Sequence, residues 1–297
     1  MFLKDLNNTL MSEVRAGRNI KLLKSLIADG ADINYQDRYG WTPLMAAVFA
    51  GQENIVKMLL EHGAKTELKV FKEGWTAFRI AARTEKYDIA KMLVGHGADM
   101  NSQDSRGLTT LGAAVNDRQP KTVKFLLSLG ADPDIGSGIH FEASRPIFSI
   151  AGSGASDNDR LILKMLAEAG ADMDSPDQEG LTPFLSSIMH AWEEDITVLL
   201  GELGADIKTP MYGEISPATA AASTGKYKVM LFLAERGEDL YKADLNGRTP
   251  VDIFREQNKE GAYYKEFLQG LNRIFEKKRL AEEDTQKKFR TGYEFDI

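Results

Sequence analysis

The feature that most constrains this chain is a glycine that returns on a fixed period. It stands at Gly30, Gly63, Gly97, Gly130, Gly170, Gly204 and Gly237, so the intervals are 33, 34, 33, 40, 34 and 33 residues. Six of the seven are followed by alanine. Such a period means that one supersecondary unit is repeated and stacked, because a unit this short cannot bury its apolar face alone. The unit is clearest over 37–64, DRYGWTPLMAAVFAGQENIVKMLLEHGA. Gly40 supplies the positive φ of a tight turn, and Thr42 can N-cap a helix whose first position is Pro43, where a missing N–H costs nothing. Ala46 and Ala47 keep that helix thin, and Gly51 suits the left-handed residue that commonly ends a helix. Ile55, Val56, Leu59 and Leu60 then mark the apolar face of a second helix, closed by Gly63.

The helix-opening position returns as Thr42, Thr76, Thr109, Thr182, Ser216 and Thr249, with Pro43, Pro183, Pro217 and Pro250 next in line. A period of this length carrying a T-P-L element resembles the ankyrin repeat, and the resemblance runs from about Phe2 to about Phe275. It implies an all-α solenoid of stacked helix-turn-helix units joined by short β-hairpin-like loops. The family's T-P-L-H element loses its histidine throughout, with Met45, Arg79, Gly112, Leu185, Thr219 and Asp252 in that place. In the family that histidine helps tie neighbouring loops together, so the resemblance predicts less rigid loops here.

Organisation follows from the repeats. One ankyrin-repeat domain is expected over 1–275, with 1–36 as an N-terminal cap, 37–243 as internal repeats and 244–275 as a C-terminal cap, and with 276–297 as a charged extension or tail. Phe2, Leu6, Leu10 and Val14 share one face of the first helix, opposite Asp5, Asn8, Ser12 and Arg15, as an end cap requires. In the third repeat Ala77 replaces proline, and in the fourth the second helix is expected to open near Pro120. The period slips by seven residues in the fifth repeat, about 136–175, where Gly, Ser and Asp cluster at 136–144 and 152–159. A lengthened hairpin before Arg145-Pro146 and a longer loop before the 161–169 helix are expected there. Tyr263, Tyr264, Phe267, Leu268, Leu271, Ile274 and Phe275 form an apolar stripe able to cover the last layer, and Phe289, Tyr293 and Phe295 of the tail could anchor another protein.

Charge and composition narrow the function classes. The net charge of −7 argues against binding duplex nucleic acid or an anionic membrane. With no cysteine there is no disulfide, thiolate nucleophile or cysteine zinc site. No secretory signal and no window of membrane-spanning length is read, which predicts a cytoplasmic protein, delivery to another cell by a dedicated secretion system remaining open.

Motifs of chemistry are scarce. His62 and His96 share one repeat position, so their spacing restates the period. The stretch ASTGKY at 222–227 is superficially similar to a phosphate loop but has Ala220 for the leading glycine and Tyr227 for the Ser or Thr. Asp37, Asp104, Asp177 and Asp244 share the turn-opening position, which local hydrogen bonding explains. No catalytic residue, cofactor or metal is expected.

The resemblance implies that partner proteins dock on the concave face of hairpin tips and first helices. The candidate partner-binding residues there are Arg38, Tyr39, Trp41, Phe49, Trp75, Arg79, Arg83, Arg106 and Leu108, since Tyr, Trp and Arg supply most interface anchors. Trp41 and Trp75, at equivalent positions, are expected side by side. The reading is a non-enzymatic, monomeric protein-interaction scaffold with one or more protein partners, an inhibitor or neutraliser of a specific enzyme or toxin and an effector being narrower versions. The alternative is an enzyme or small-molecule binder using His140, Glu142, Asp157 and Asp159 of the irregular fifth repeat; self-association is a third reading.

Overall fold

A computed structural model describes the chain except for residues 1, 18, 137–144, 153–155, 191–192, 213, 245, 259–260 and 293–297, and except for the side chains of 2–5 and 284–292. The described residues form sixteen helices and no strand, an ankyrin-type helical solenoid built as two compact units. The first comprises 1–150 with 157–172, and the second 151–156 with 173–297.

Unit 1 holds α1 (Phe2–Arg15), α2 (Ile20–Ala28), α3 (Pro43–Phe49), α4 (Glu53–Glu61), α5 (Ala77–Arg83), α6 (Tyr87–Gly95), α7 (Thr110–Asn116), α8 (Pro120–Ser128), α9 (Pro146–Ala151, ending at the unit's edge) and α10 (Asp157–Glu168). Helices pair within each repeat, α3 with α4, α5 with α6 and α7 with α8, while α1, α3, α5 and α7 form one row and α4 packs on α6. A helix of seven residues such as α3 is too short to persist alone, so it forms only because its neighbours bury it. Each is started by a hydroxyl cap: Thr42 Oγ1 accepts from the Met45 N–H at 3.1 Å, Thr76 from Arg79 at 3.3 Å and Thr109 from Gly112 at 3.0 Å. Ala46, Ala47, Ala81 and Ala82 are buried where rows meet, around a core that includes Leu44, Leu59, Phe78, Ile89, Leu93 and Leu111.

Between repeats the chain turns in a hairpin whose geometry is set by one aspartate. Asp37 accepts the N–H groups of Tyr39 and Trp41 on Oδ1, while its own N–H donates to the Trp41 carbonyl. Asp104 does the same with Arg106 and Leu108. In the third repeat Val70 takes the aspartate's place and the turn lengthens by one residue, Val70 N–H donating to the Trp75 carbonyl; this is the source of the 34-residue interval. Neighbouring hairpins touch through backbone: Phe71 N–H donates to the Tyr39 carbonyl at 3.1 Å, and Ser105 N–H to the Glu73 carbonyl at 3.1 Å. That approach requires glycine at Gly74, where φ is +70° and an added Cβ would sit 2.6 Å from the Ser105 nitrogen.

The missing histidine does not loosen this part of the stack. Arg79, in the histidine's place, is 4 % exposed and donates from Nη1 to the carbonyls of Leu108 at 2.9 Å and Thr109 at 3.3 Å, in the next hairpin. Its Nη2 pairs with Asp104 Oδ2 at 2.8 Å, so one carboxylate serves its own turn with one oxygen and the preceding repeat with the other. Burial lowers the Arg79 pKa from its ordinary value, and the Asp104 charge opposes that shift.

The fifth repeat absorbs its extra residues differently from expectation. Instead of a long loop before residue 161, α10 begins at Asp157 and runs for 12 residues where α8 has nine. Three of the seven extra residues are therefore an added helical turn, placed so that Asp159, 4 % exposed, meets Arg118 Nε at 3.0 Å. Arg118 also donates to the Ser149 carbonyl at 2.9 Å.

Unit 2 holds α11 (Pro183–His190), α12 (Glu194–Glu202), α13 (Pro217–Ser223), α14 (Tyr227–Glu235), α15 (Pro250–Asn258) and α16 (Ala262–Gly292). Its rows are α11, α13, α15 and α12, α14, α16. Thr182 and Ser216 repeat the hydroxyl cap, and at Thr249 the cap is reciprocal, the Asp252 carboxylate accepting from both the Thr249 N–H and its hydroxyl. Phe267 and Leu271 of α16 are buried, Phe267 meeting Phe254 edge-on at 5.1 Å, and the Lys278 ammonium donates to the Ala234 carbonyl.

Two stability outcomes follow. Arg79→Ala should cost about 3–5 kcal/mol in urea unfolding, because it leaves the Asp104 carboxylate buried without its cation, and adding Asp104→Asn should recover part of that loss. Gly74→Ala should cost at least about 1 kcal/mol more than Gly63→Ala by the same measurement. Both glycines have positive φ, but a Cβ on Gly63 meets nothing within 4 Å.

Candidate functional site

Of the nine residues singled out by the sequence, eight reach the surface of unit 1 along its second, third and fourth repeats. Arg38, Tyr39 and Trp41 lie in the hairpin before α3, and Phe49 ends that helix; Trp75 closes the next hairpin and Arg83 ends α5; Arg106 and Leu108 belong to the hairpin before α7. Tyr39 and Phe49 are 57 % and 59 % exposed, Arg38, Arg83 and Arg106 are exposed, and Trp41, Trp75 and Leu108 are half-buried. Arg79 is the exception. Its guanidinium is inside, holding two repeats together, so it is not available to a partner.

Trp41 meets Phe49 edge-on at 5.7 Å, whereas the Trp75 ring lies within reach of two cations, Arg83 at 4.7 Å and Arg79 at 5.8 Å. Arg38 stands 4.6 Å from the centre of its neighbour Tyr39. Each arginine over a ring keeps the flat guanidinium in one place, with its N–H edges still available to an acceptor.

Sequence reasoning passed over Phe71, which at 65 % is the most exposed of the large apolar side chains here, and Lys72 beside it. The signal was present in the period: Phe71 and Lys72 stand 33 residues after Arg38 and Tyr39, at the tip of a hairpin one residue longer. The aromatic surface therefore centres on Tyr39, Phe49 and Phe71, with the tryptophans half-sunk behind them.

The other candidates for chemistry have structural explanations or lie outside the described residues. His140 and Glu142 fall outside. Asp159 is ion-paired with Arg118, and Asp157 is exposed and pairs with Arg160 at 3.3 Å. His62 and His96 place Nδ1 2.8 and 2.9 Å from the carbonyls of Met58 and Met92 in their own helices. Lys226, in the stretch similar to a phosphate loop, is 7 % exposed, and burial lowers its pKa. Among the described residues no group of three or more His, Asp or Glu side chains could hold a metal, and no helix is long and apolar enough to cross a membrane. Phe289, Tyr293 and Phe295 are not described.

Comparison with known proteins points the same way as the geometry. The family model for ankyrin repeats, which spans three copies, matches residues 10–104 and 72–137. The chain is 32 % identical over 126 residues, or 42 % of its length, to the mitochondrial disaggregase of Bos taurus. It is 38 % identical over 64 residues, 21 % of its length, to the 2-5A-dependent ribonuclease of Homo sapiens. It is 32 % identical over 71 residues, 24 % of its length, to an ankyrin repeat, SAM and basic leucine zipper domain-containing protein of Equus caballus. These alignments span only 18 %, 9 % and 15 % of the respective relatives. What is shared is the repeat itself, and residues 10–137 of the chain are ankyrin repeats.

Proposed function

We propose that this chain is a non-enzymatic scaffold that binds a partner protein on the hairpin and first-helix face of unit 1. Ankyrin repeats are in general interaction modules without catalysis of their own, and that much comes with the family. The observation that carries the finer reading is the row of exposed rings at Tyr39, Phe49 and Phe71, set among Arg38, Arg83 and Arg106. Phe71 lies against Gly40 of the preceding hairpin and Phe49 meets Trp41, yet all three rings stay largely exposed, and aromatic and arginine side chains on a rigid support are the usual anchors of an interface. Leu108, Trp41 and Trp75 complete the apolar floor. A scaffold of this kind acts by presenting a preformed surface, which keeps the ordering cost of binding small. It suits an inhibitor, a neutraliser or an effector in the cytoplasm that works as a monomer. No cofactor is called for.

Two outcomes are expected. In size-exclusion chromatography with light scattering the chain should run as a monomer of 32.9 kDa. In affinity capture from native lysate, Phe49→Ala combined with Arg83→Ala should lose the retained partner by about tenfold or more, while circular dichroism and the unfolding midpoint stay close to wild type. Retention of the same partner at full strength would place the binding site elsewhere.

A further inference from the structure

We infer that the segment taken by this surface is acidic: a stretch of a partner protein in which aspartate or glutamate flanks one or more apolar side chains. The inference rests on the reading of unit 1 as a docking face and adds the chemistry of its occupant. The whole chain carries a net charge of −7, so a cationic cluster runs against its average. Yet the hairpin tips of the second to fourth repeats expose Arg38, Lys72 and Arg106, and the end of α5 exposes Arg83. Among the described residues Arg38, Lys72 and Arg83 make no ion pair.

The two turn aspartates beside these cations are already occupied. Asp37 holds its own turn and pairs with Arg15 at 2.7 Å. Asp104 is buried, holds its turn and pairs with Arg79 at 2.8 Å, so its 3.5 Å approach to Arg106 leaves most of that guanidinium to solvent. Glu73 and Asp117 are the acids that remain on the tips and first-helix ends, against four cations; Glu85 and Lys86 follow in the next loop and cancel.

The second unit provides an internal comparison. Its corresponding hairpins expose Gln178, Glu179, Tyr212, Glu214, Asn246 and Arg248, with two acids and one cation among the described residues. Positive charge is therefore not a general property of this chain's hairpins. In unit 1 it is placed beside rings that hold it: Arg83 over Trp75 and Arg38 over Tyr39. A guanidinium stacked this way presents its N–H edge in a fixed direction, which favours a planar carboxylate, while Phe49 and Phe71 offer the apolar contact between charges.

The test is selection of a displayed random peptide library on the full chain, followed by fluorescence anisotropy with the selected peptides. Enriched sequences should carry Asp or Glu around an aromatic or aliphatic residue. Their affinity should fall about tenfold or more in Arg38→Gln plus Arg83→Gln, fall again as salt is raised, and be unchanged in Gln178→Ala plus Glu179→Ala. Enrichment of neutral or basic peptides whose binding is lost in Phe49→Ala would overturn the acidic assignment and leave the docking face standing. Peptides indifferent to both the arginine and the Phe49 changes would overturn both readings. A mixed-sequence single-stranded oligonucleotide that binds the same residues more tightly than any selected peptide would also overturn the assignment.

Discussion

The stack depends on a hydrogen bond that each repeat lends to the next. Four residues after each of the first five closing glycines stands a polar side chain that accepts the backbone N–H found two residues after the following closing glycine. Asn34 accepts from Lys65 at 2.8 Å, Glu67 from Asp99 at 3.0 Å, Asn101 from Asp132 at 3.1 Å and Asp134 from Asp172 at 3.0 Å. In the second unit Asp174 accepts from Asp206 at 2.6 Å. These amides sit in loops, where no helix satisfies them, and the neighbouring repeat supplies the acceptor that water would otherwise provide. Each repeat thus completes the polar accounting of its neighbour, and the spacing of repeats is fixed by backbone as much as by apolar packing.

The same economy recurs in side chains that do two jobs. Asp104 shapes its hairpin with one oxygen and anchors Arg79 with the other. In the second unit Glu194 of α12 accepts the N–H groups of Lys228 and Val229 in the first turn of α14, capping a helix of the next repeat. Burial raises the pKa of that carboxyl, while those two backbone donors pull the other way. The Tyr227 hydroxyl donates to Glu266 of α16 at 2.8 Å, which pushes its pKa up to about 12. Stability in such an array resides in contacts between units, so a single repeat cut from it has little reason to fold.

The period, the capped first helices, the aspartate turns and the buried alanines were all legible in the sequence, because each is a local rule repeated several times. Non-local events were harder to read. Arg79 looked like a surface anchor because arginine usually is one; only the carbonyls of the next hairpin and the Asp104 carboxylate make its burial tolerable. The insertion in the fifth repeat read as loop because Gly, Ser and Asp dominate it, yet Asp157 and Asp159 suit the first turn of a helix, where negative charge is favoured. Phe71 escaped notice because the third hairpin lacks the aspartate that marks the others. Exposure is decided by what neighbouring chain segments cover, and one sequence does not show that.

The aspartate hairpins carry a consequence for how such a molecule can change. Turn geometry is set by the carboxylate, a glycine and backbone hydrogen bonds, while the side chains of Arg38, Tyr39 and Arg106 at the tips place few demands on it; Ser105, whose hydroxyl donates to the Lys72 and Glu73 carbonyls, is the exception among them. Even an added residue is accommodated, as the Val70–Trp75 turn shows. Tip composition and architecture are therefore separable within one repeat. The tips can change with the stack left intact, and the two units of one chain already differ there: Arg38, Lys72 and Arg106 stand on the tips of the second to fourth repeats, Glu179 and Glu214 on those of the second unit.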